Sequence, residues 1–512
     1  MAVAERAGDR RWWVLGALVL CVLVLGLDLT ILNVALPTIA GDLAVGTGGL
    51  QWVVNAYVLV FAGLMLPAGA LGDRYGRRRL LLAGLVVFGG ACLAATWAES
   101  VAVLVALRAV MGAGAAIIMP IVLAVLAVLF DERERGKALS VVVVAIGAGL
   151  PLGPIVGGWL LQHYWWGSIF LINVPIAAAA GALIAVLMPE SKDPRPPRAD
   201  LPGAVLSTAG LVGLVYGIVE APGRGWTDPL VLGMSAAGIG LLAGFVVWEL
   251  RAAAPMIDLR LFADAQFAWG TVGATLASFA LFGLLFTLPQ YLQLVEGADA
   301  FGTGLRLLPL IGGIVLGAPI AQSLAARAGY RTPVAAGLLL AAAGLAAGAT
   351  TDVGTGYGFV AAWLTLTGFG AGMSLTPAMD AVLGVLPPER AGSGTALTMA
   401  LRQVAGAFGV ALLGSLLAAG YSSRLDTTGL PSPAAHAADE SVAAARALAA
   451  RTGNTALAAN ASDAFVHGMA LALGAAAVVA LLGAVLTAVF LPGRPTPTGQ
   501  VTQPGAHPEA VA

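Results

Sequence analysis

Two charged side chains stand inside apolar runs long enough to cross a membrane. Asp28 lies within Leu27-Asp28-Leu29-Thr30-Ile31-Leu32-Asn33-Val34-Ala35-Leu36-Pro37, and Arg108 heads Arg108-Ala109-Val110-Met111-Gly112-Ala113-Gly114. A charge at the centre of a bilayer costs about 2.5–3.5 kcal/mol on insertion scales, so each should face a partner or water. A carboxyl taken out of water favours its neutral form, a property suited to carrying a proton. Arginine keeps its charge, and Arg108 is the obvious cation to hold Asp28 if the first and fourth spans meet. Plainer readings stay open: a satisfied structural acid near the surface for Asp28, an interfacial side chain near Glu99 for Arg108. Further polar candidates are Asn33, beside Asp28, and Glu220, which ends a span and could simply meet water. Asp380 and Arg402 lie near same-side ends of two late spans, where an ion pair is conceivable.

Two other stretches bear on mechanism. Leu71-Gly72-Asp73-Arg74-Tyr75-Gly76-Arg77-Arg78-Arg79-Leu80 packs an acid, four Arg and two Gly between apolar runs. So basic a turn belongs on the cytoplasmic side. Its glycines permit tight backbone, and its acid can pair with a neighbouring Arg or cap a helix. Asp73, Arg74 and Arg77 suit a gate latch that re-pairs as the protein rocks, whereas Arg78 and Arg79 read better as topology determinants. The second stretch, Gly147-Ala148-Gly149-Leu150-Pro151-Leu152-Gly153-Pro154-Ile155-Val156-Gly157-Gly158, crowds helix breakers into one span. Either it is a closely packed, bending element or it is ordinary small-residue packing.

The elements that position these residues follow from composition. The 512 residues are 59% hydrophobic and 10% charged, with mean hydropathy +0.91, whereas soluble chains run about 45–50% apolar and about 25% charged. Lipid is therefore the solvent for most of the chain. A net charge of −1 gives no case for nucleic-acid binding. Cys21 and Cys92 fall in apolar spans and read as buried thiols. No phosphate-binding loop or hydrolase motif is present, and the four His form no ligand cluster.

At about twenty residues per crossing, fourteen helices are expected, at 12–36, 50–71, 79–98, 101–126, 137–161, 166–188, 202–220, 230–250, 267–292, 305–325, 332–349, 357–383, 394–419 and 464–491. With the N-terminus inside, nineteen of the 26 Lys and Arg fall on the cytoplasmic side and five outside, the bias that orients membrane proteins. The expected organisation is a cytoplasmic N-terminus (1–11), a six-helix bundle (12–188), a cytoplasmic linker (189–201) and two extra spans (202–250). A second six-helix bundle (251–491) with an external loop (421–463) and a disordered cytoplasmic tail (492–512) follow. The chain also echoes itself. Pro120 precedes Glu132-Arg133 by the distance from Pro377 to Glu389-Arg390, and Ser323 to Pro333 is a weakened copy of the 71–80 loop. Such repeats place a substrate site between two halves.

The motif Gly-Asp-Arg-x-Gly-Arg-Arg-Arg at 72–79 resembles the signature loop of the major facilitator superfamily. Asp28-x-Thr30-x-x-Asn33-x-Ala35-Leu36-Pro37 is similar to the first-span signature of its 14-span drug:proton antiporters, and Arg108-x-x-x-Gly112-x-Gly114 to its fourth-span motif. Gly149-x-x-x-Gly153-Pro154-x-x-Gly157-Gly158 resembles the motif of its antiporters, generally missing from uptake symporters. The resemblance covers about residues 12–491. It implies an all-α membrane protein of the major facilitator fold, with two six-helix bundles and two central extra helices. It implies export of lipophilic drugs, antibiotics or related metabolites in exchange for protons, Asp28 and Arg108 serving coupling. No cofactor is expected beyond the proton gradient, no enzyme activity, and action as a monomer in a bacterial cytoplasmic membrane with both termini inside. The second half has Thr365 where the Arg108 match would fall, so coupling should be a first-half property. An uptake permease of the same fold and a non-transporting membrane sensor are the alternatives.

Topology is directly measurable. In intact cells, a cysteine placed at position 440 should react with an impermeant thiol reagent and one at position 75 should not; the reverse pattern overturns the fourteen-span orientation.

Overall fold

A computed structural model describes residues 10–130, 132–192, 200–252, 259–386 and 391–493, and the regular structure among them is helical. The first helices are α1 Arg10–Asp42, α2 Thr47–Tyr75, α3 Arg77–Ala95, α4 Val101–Leu129, α5 Glu132–His163, α6 Ser168–Leu171, α7 Asn173–Leu187, α8 Leu201–Arg224 and α9 Pro229–Arg251. A short 3-10 turn, Leu259–Ala263, leads into α10 Ala265–Leu294, α11 Ala300–Arg306, α12 Leu308–Ala328, α13 Arg331–Gly348 and α14 Tyr357–Gly384. The last are α15 Ala391–Arg424, α16 Ser432–Glu440, α17 Val442–Thr452 and α18 Thr455–Phe490. Asp200, Asp228, Asp264, Asp299 and Asn454 each precede a helix and accept a backbone N–H from its first turn, which meets part of the unpaired-donor problem at helix starts.

Among the described residues thirteen helical segments are long and apolar enough to cross a membrane, α6–α7 and α11–α12 each counting as one broken crossing. Helix α5, 32 residues long, packs along α1 and supplies the fourteenth. The chain therefore finishes on the face from which α1 starts, the terminal face.

Two six-helix bundles repeat one packing plan. In the first, α1 lies on α5 and α7, α2 on α4, and α3 on α4 and α7; in the second, α10 lies on α15 and α18, α12 on α14, and α13 on α14 and α18. Pro120 of α4 and Pro377 of α14 occupy helix interiors at matching points. The bundles meet where α2 touches α15, α5 touches α11 and α1 touches α10. The α8–α9 hairpin is the two-helix addition. Helix α8 bridges α2 and α15, and α9 packs on α8 while turning Leu232, Ile239 and Val246 outward.

Boundaries differ from the sequence expectation chiefly before the last crossing. The loop expected at 421–463 contracts because α15 continues to Arg424 and α18 begins at Thr455, nine residues before the expected start. Asn454 caps α18 through Leu457 N at 3.0 Å, and Gly453 ends α17 with φ +68°, so an Ala-rich segment of high helix propensity fills the connection. Residues 1–9, 193–199 and 494–512, covering most of the expected N-terminus, linker and tail, lie outside the described residues.

Helices approach closely through small residues, since lipid supplies no hydrophobic drive between them. A Cβ on Gly149 would fall 2.8 Å from the Gly26 Cα, one on Gly157 2.5 Å from Ile31 Cγ1, and one on Gly153 would collide with Thr30 Oγ1. The glycines of α5 are thus its seam with α1. Gly149→Leu meets backbone that cannot yield, and should lower stability by about 1–3 kcal/mol, the usual cost of overpacking. Gly240→Leu, on α9 with nothing within 4 Å, should leave the detergent unfolding midpoint unchanged; equal midpoints for both variants contradict the seam.

Candidate functional site

The first bundle closes around an ion pair. Asp28, near the middle of α1, is 0% exposed and Arg108 of α4 is 1% exposed; Arg108 Nη1 donates to Asp28 Oδ2 at 2.7 Å. The guanidinium also donates from Nε to the Val53 carbonyl at 3.1 Å and lies 4.4 Å from the centre of the Tyr57 ring. Asn173, the first residue of α7, reaches the other carboxylate oxygen of Asp28 with Nδ2 at 3.4 Å and approaches Cys92 Sγ of α3 at 4.0 Å. Five helices converge here, and neither charge is at the surface. Removing one partner of such a pair leaves a buried charge uncompensated, which costs about 3–5 kcal/mol. The hydroxyl of Tyr57, Oδ1 of Asn173 and both polar atoms of Asn55 are buried with no hydrogen-bond partner among the described residues.

Asn33 donates to the Leu29 carbonyl at 3.2 Å. With Thr30 and Pro154 it lines a cavity of about 20 Å³ whose far wall is Leu281, Leu307 and Ile311 of the second bundle, room for about one water. Pro154 and Gly158 carry α5 onto the other bundle: a Cβ on Gly158 would lie 2.5 Å from the Ala300 carbonyl oxygen, and one on Gly304 would overlap the Pro154 carbonyl. Polar contacts between bundles gather on the face opposite the termini. Gln51 donates to the Val410 and Ala411 carbonyls at 2.9 and 2.7 Å, Gln293 to Val34 at 2.8 Å, and Gln162 to Asp299 Oδ2 at 3.3 Å.

The basic loop is pinned within the first bundle. Asp73 Oδ1 accepts from Arg77 Nε at 2.9 Å and Nη2 at 2.8 Å. Gly76, with φ +117°, turns α2 into α3, and a Cβ there would sit 2.7 Å from Glu190 Oε1. Gly72 abuts Ile121 of α4, while Arg74 is exposed over the Tyr75 ring. Gly329, with φ +76°, makes the matching turn between α12 and α13, the counterpart in the weaker sequence copy. Glu190, which in sequence is one more charge in a linker, proves to be the clamp. It accepts the Arg78 N–H at 3.1 Å and lies 3.7 Å from Arg79 Nε, and the Ser191 carbonyl takes the Arg77 N–H at 3.0 Å.

Among the weaker candidates, Glu220 Oε2 pairs with Arg224 at 3.1 Å on α8. Asp380 and Arg402 do not pair among the described residues. Asp380 adjoins Ala381, whose carbonyl accepts from Gln266 near the start of α10, whereas Arg402 donates to Ser278 Oγ at 2.9 Å, about 18 Å further along α10 at 1.5 Å per residue. Asn173 and Tyr57 were missed by sequence reasoning; their only signal is a polar atom in an apolar run.

The family model of the Major Facilitator Superfamily matches residues 18–410. The chain belongs to the major facilitator superfamily. Within it, the chain is 35% identical over 410 residues to the tetracenomycin C resistance and export protein of Streptomyces glaucescens, covering 80% of this chain and 76% of that one. It is 34% identical to the puromycin resistance protein pur8 of Streptomyces alboniger, covering 96% and 94%. The superfamily fold is also seen in a bacterial homologue of the human lysosomal transporter Spinster, solved inward-facing and occupied: TM-score 0.71, 16% identity, 95% of this chain and 99% of that one. Family and fold make this superfamily member a multi-pass transporter rather than an enzyme.

The loop clamp has a direct readout. Glu190→Ala should speed hydrogen exchange at the Arg78 amide by about tenfold or more, since a hydrogen bond to a charged acceptor contributes about 1.5–3 kcal/mol. Unchanged exchange by mass spectrometry removes Glu190 from that role.

Proposed function

We propose that this transporter is a proton-coupled antiporter that exports small lipophilic drugs, antibiotics or related metabolites across a bacterial cytoplasmic membrane. In this reading it works as a monomer with no bound cofactor, and its terminal face is cytoplasmic. The supporting observation is the Asp28–Arg108 pair at 2.7 Å in the middle of a bundle. Ionised, Asp28 ties α1 to α4. Protonated, it leaves Arg108 as a buried cation whose remaining support is the Val53 carbonyl and the Tyr57 ring, an arrangement that favours a shift of α4 against α1. Binding or loss of one proton then biases the two access states differently, which is what an exchanger requires. Export is favoured by the glycine seam of α5, which lets α1, α5 and α11 close tightly on the side opposite the termini, and by the relatives, whose names describe resistance and export.

The cycle follows. With its cytoplasmic side open the cleft takes up a lipophilic substrate, the bundles rock, and protonation of Asp28 from outside accompanies release. Return delivers the proton to the cytoplasm. Asp28→Asn mimics the neutral acid at nearly constant volume and still offers Arg108 a carbonyl oxygen, so insertion and folding should survive. In everted vesicles this variant should lose proton-driven efflux by about a hundredfold, the lower range for removal of a positioned proton-transfer group, while equilibrium binding of a neutral substrate changes little. Undiminished proton-coupled efflux from Asp28→Asn rules out Asp28 as the coupling site.

A further inference from the structure

The second bundle holds a charge that, among the described residues, has no opposite charge against it. Arg402 of α15 has Ser278 Oγ as a partner at 2.9 Å, and among the described residues no carboxylate forms an ion pair with it. Thr271, Thr275 and Ser278 stand at i, i+4 and i+7 on α10 and so share one stripe of that helix. The stripe faces α15, because Ser278 meets Arg402 and Phe282, at the next turn, packs against Gly406.

Two of the three hydroxyls along this stripe are idle. Ser278 donates to the Ala274 carbonyl at 2.8 Å, but Thr271 Oγ1, Thr275 Oγ1 and the neighbouring Gln403 Oε1 are buried without a hydrogen-bond partner among the described residues. Thr271 is 2% exposed. Helical hydroxyls in lipid usually satisfy themselves on the carbonyl four residues back, as Thr287, Thr367 and Thr487 do in this chain. Two hydroxyls on one stripe that do not are left free to bond a ligand. On α15, Leu401, Arg402, Gln403 and Val404 are all half-buried, while Ala405, Gly406 and Ala407 are packed. A guanidinium is disfavoured against hydrocarbon, so the partly open side of Arg402 suits a polar group better than lipid.

We propose that Arg402, Thr271 and Thr275 form a subsite for an acidic oxygen, a carboxylate or phenolate, on a lipophilic molecule. The guanidinium supplies the opposite charge and planar N–H donors suited to such an oxygen, and the two hydroxyls supply further donors. Leu276, Phe279 and Phe282 give the apolar body a surface. The inference rests on the exporter reading and adds a charge preference to it. Asp28 is already neutralised by Arg108, whereas Arg402 has no carboxylate partner among the described residues, so its local field disfavours a cation beside it.

A matched series tests this: 1-pyrenebutyrate, its uncharged methyl ester, and the corresponding pyrenylbutyl trimethylammonium cation. Binding is measured by fluorescence on the full chain in zwitterionic nanodiscs, with no proton gradient. The wild type should bind the carboxylate at least about tenfold more tightly than the cation. Arg402→Gln should abolish that preference with the ester unchanged, and Arg402→Lys should keep part of it. Thr271→Val with Thr275→Val should weaken the carboxylate by a smaller factor. Absence of a preference in the wild type, unchanged carboxylate binding in Arg402→Gln, or equal weakening of all three probes overturns the proposal. Since no gradient is present, failure of coupled export in vesicles leaves this result standing, and loss of the anion preference leaves coupled export standing.

Discussion

A charge in the interior of a lipid-embedded bundle needs a partner or a water-filled cavity, and this constraint shapes the first half of the molecule. Arg108 cannot lose its proton, so α4 can be buried at that depth only if another helix brings it an anion. Asp28 does so from α1, α2 adds the Val53 carbonyl and the Tyr57 ring, and α7 adds the Asn173 amide. The break between α6 and α7 fits the same need, since it places Asn173 at a helix start beside the carboxylate. The pair is thus a structural knot among helices, and its acid is the group on which the proposed coupling turns.

Close approach is the second constraint and depends on the first. A short ion pair between α1 and α4 fixes α1, and α5 must lie on the remaining side of α1 without pushing it away. Gly149, Gly153 and Gly157 allow this by leaving space where any side chain would meet α1. The Thr30 hydroxyl crosses the seam to the Gly149 carbonyl at 3.0 Å. The same helix then presents Gly158 to α11 of the second bundle. A distortion of the seam between α1 and α5 is therefore transmitted to the contact between bundles, one step from the buried pair.

Much of this was legible in the sequence, for definable reasons. Apolar runs of crossing length are a strong signal in lipid, so fourteen crossings could be read directly, and a charge inside such a run stands out, so Asp28 and Arg108 could be paired before any coordinates. Asn173, Tyr57 and Glu190 were not legible. The first two are single polar groups in apolar runs, common in any bundle, and their meaning comes from what the fold brings near them. Glu190 lies over a hundred residues from the loop it clamps, in a linker where charges are expected. The ion pair expected between Asp380 and Arg402 does not form among the described residues, because helix ends adjacent in topology can still place side chains about three turns apart in depth.

The two bundles share a packing plan but not a charge plan, and that difference bears on mechanism. At the point where the second bundle would match Arg108 it has Thr365, whose hydroxyl bonds to the Ala361 carbonyl at 2.8 Å and has no need of an anion. Its own cation within a span, the half-buried Arg402, lies on a different helix, bonded to a hydroxyl and, among the described residues, paired with no acid. A symmetric pair of acid–base knots would make both bundles respond to the same proton. On the proposed coupling, protonation of Asp28 alters ties inside the first bundle, and among the described residues the second bundle shows no matching acid–base pair. The glycine seam between α5 and α11 lies where the two bundles meet, and small residues allow contact there without interlocking side chains that would resist separation.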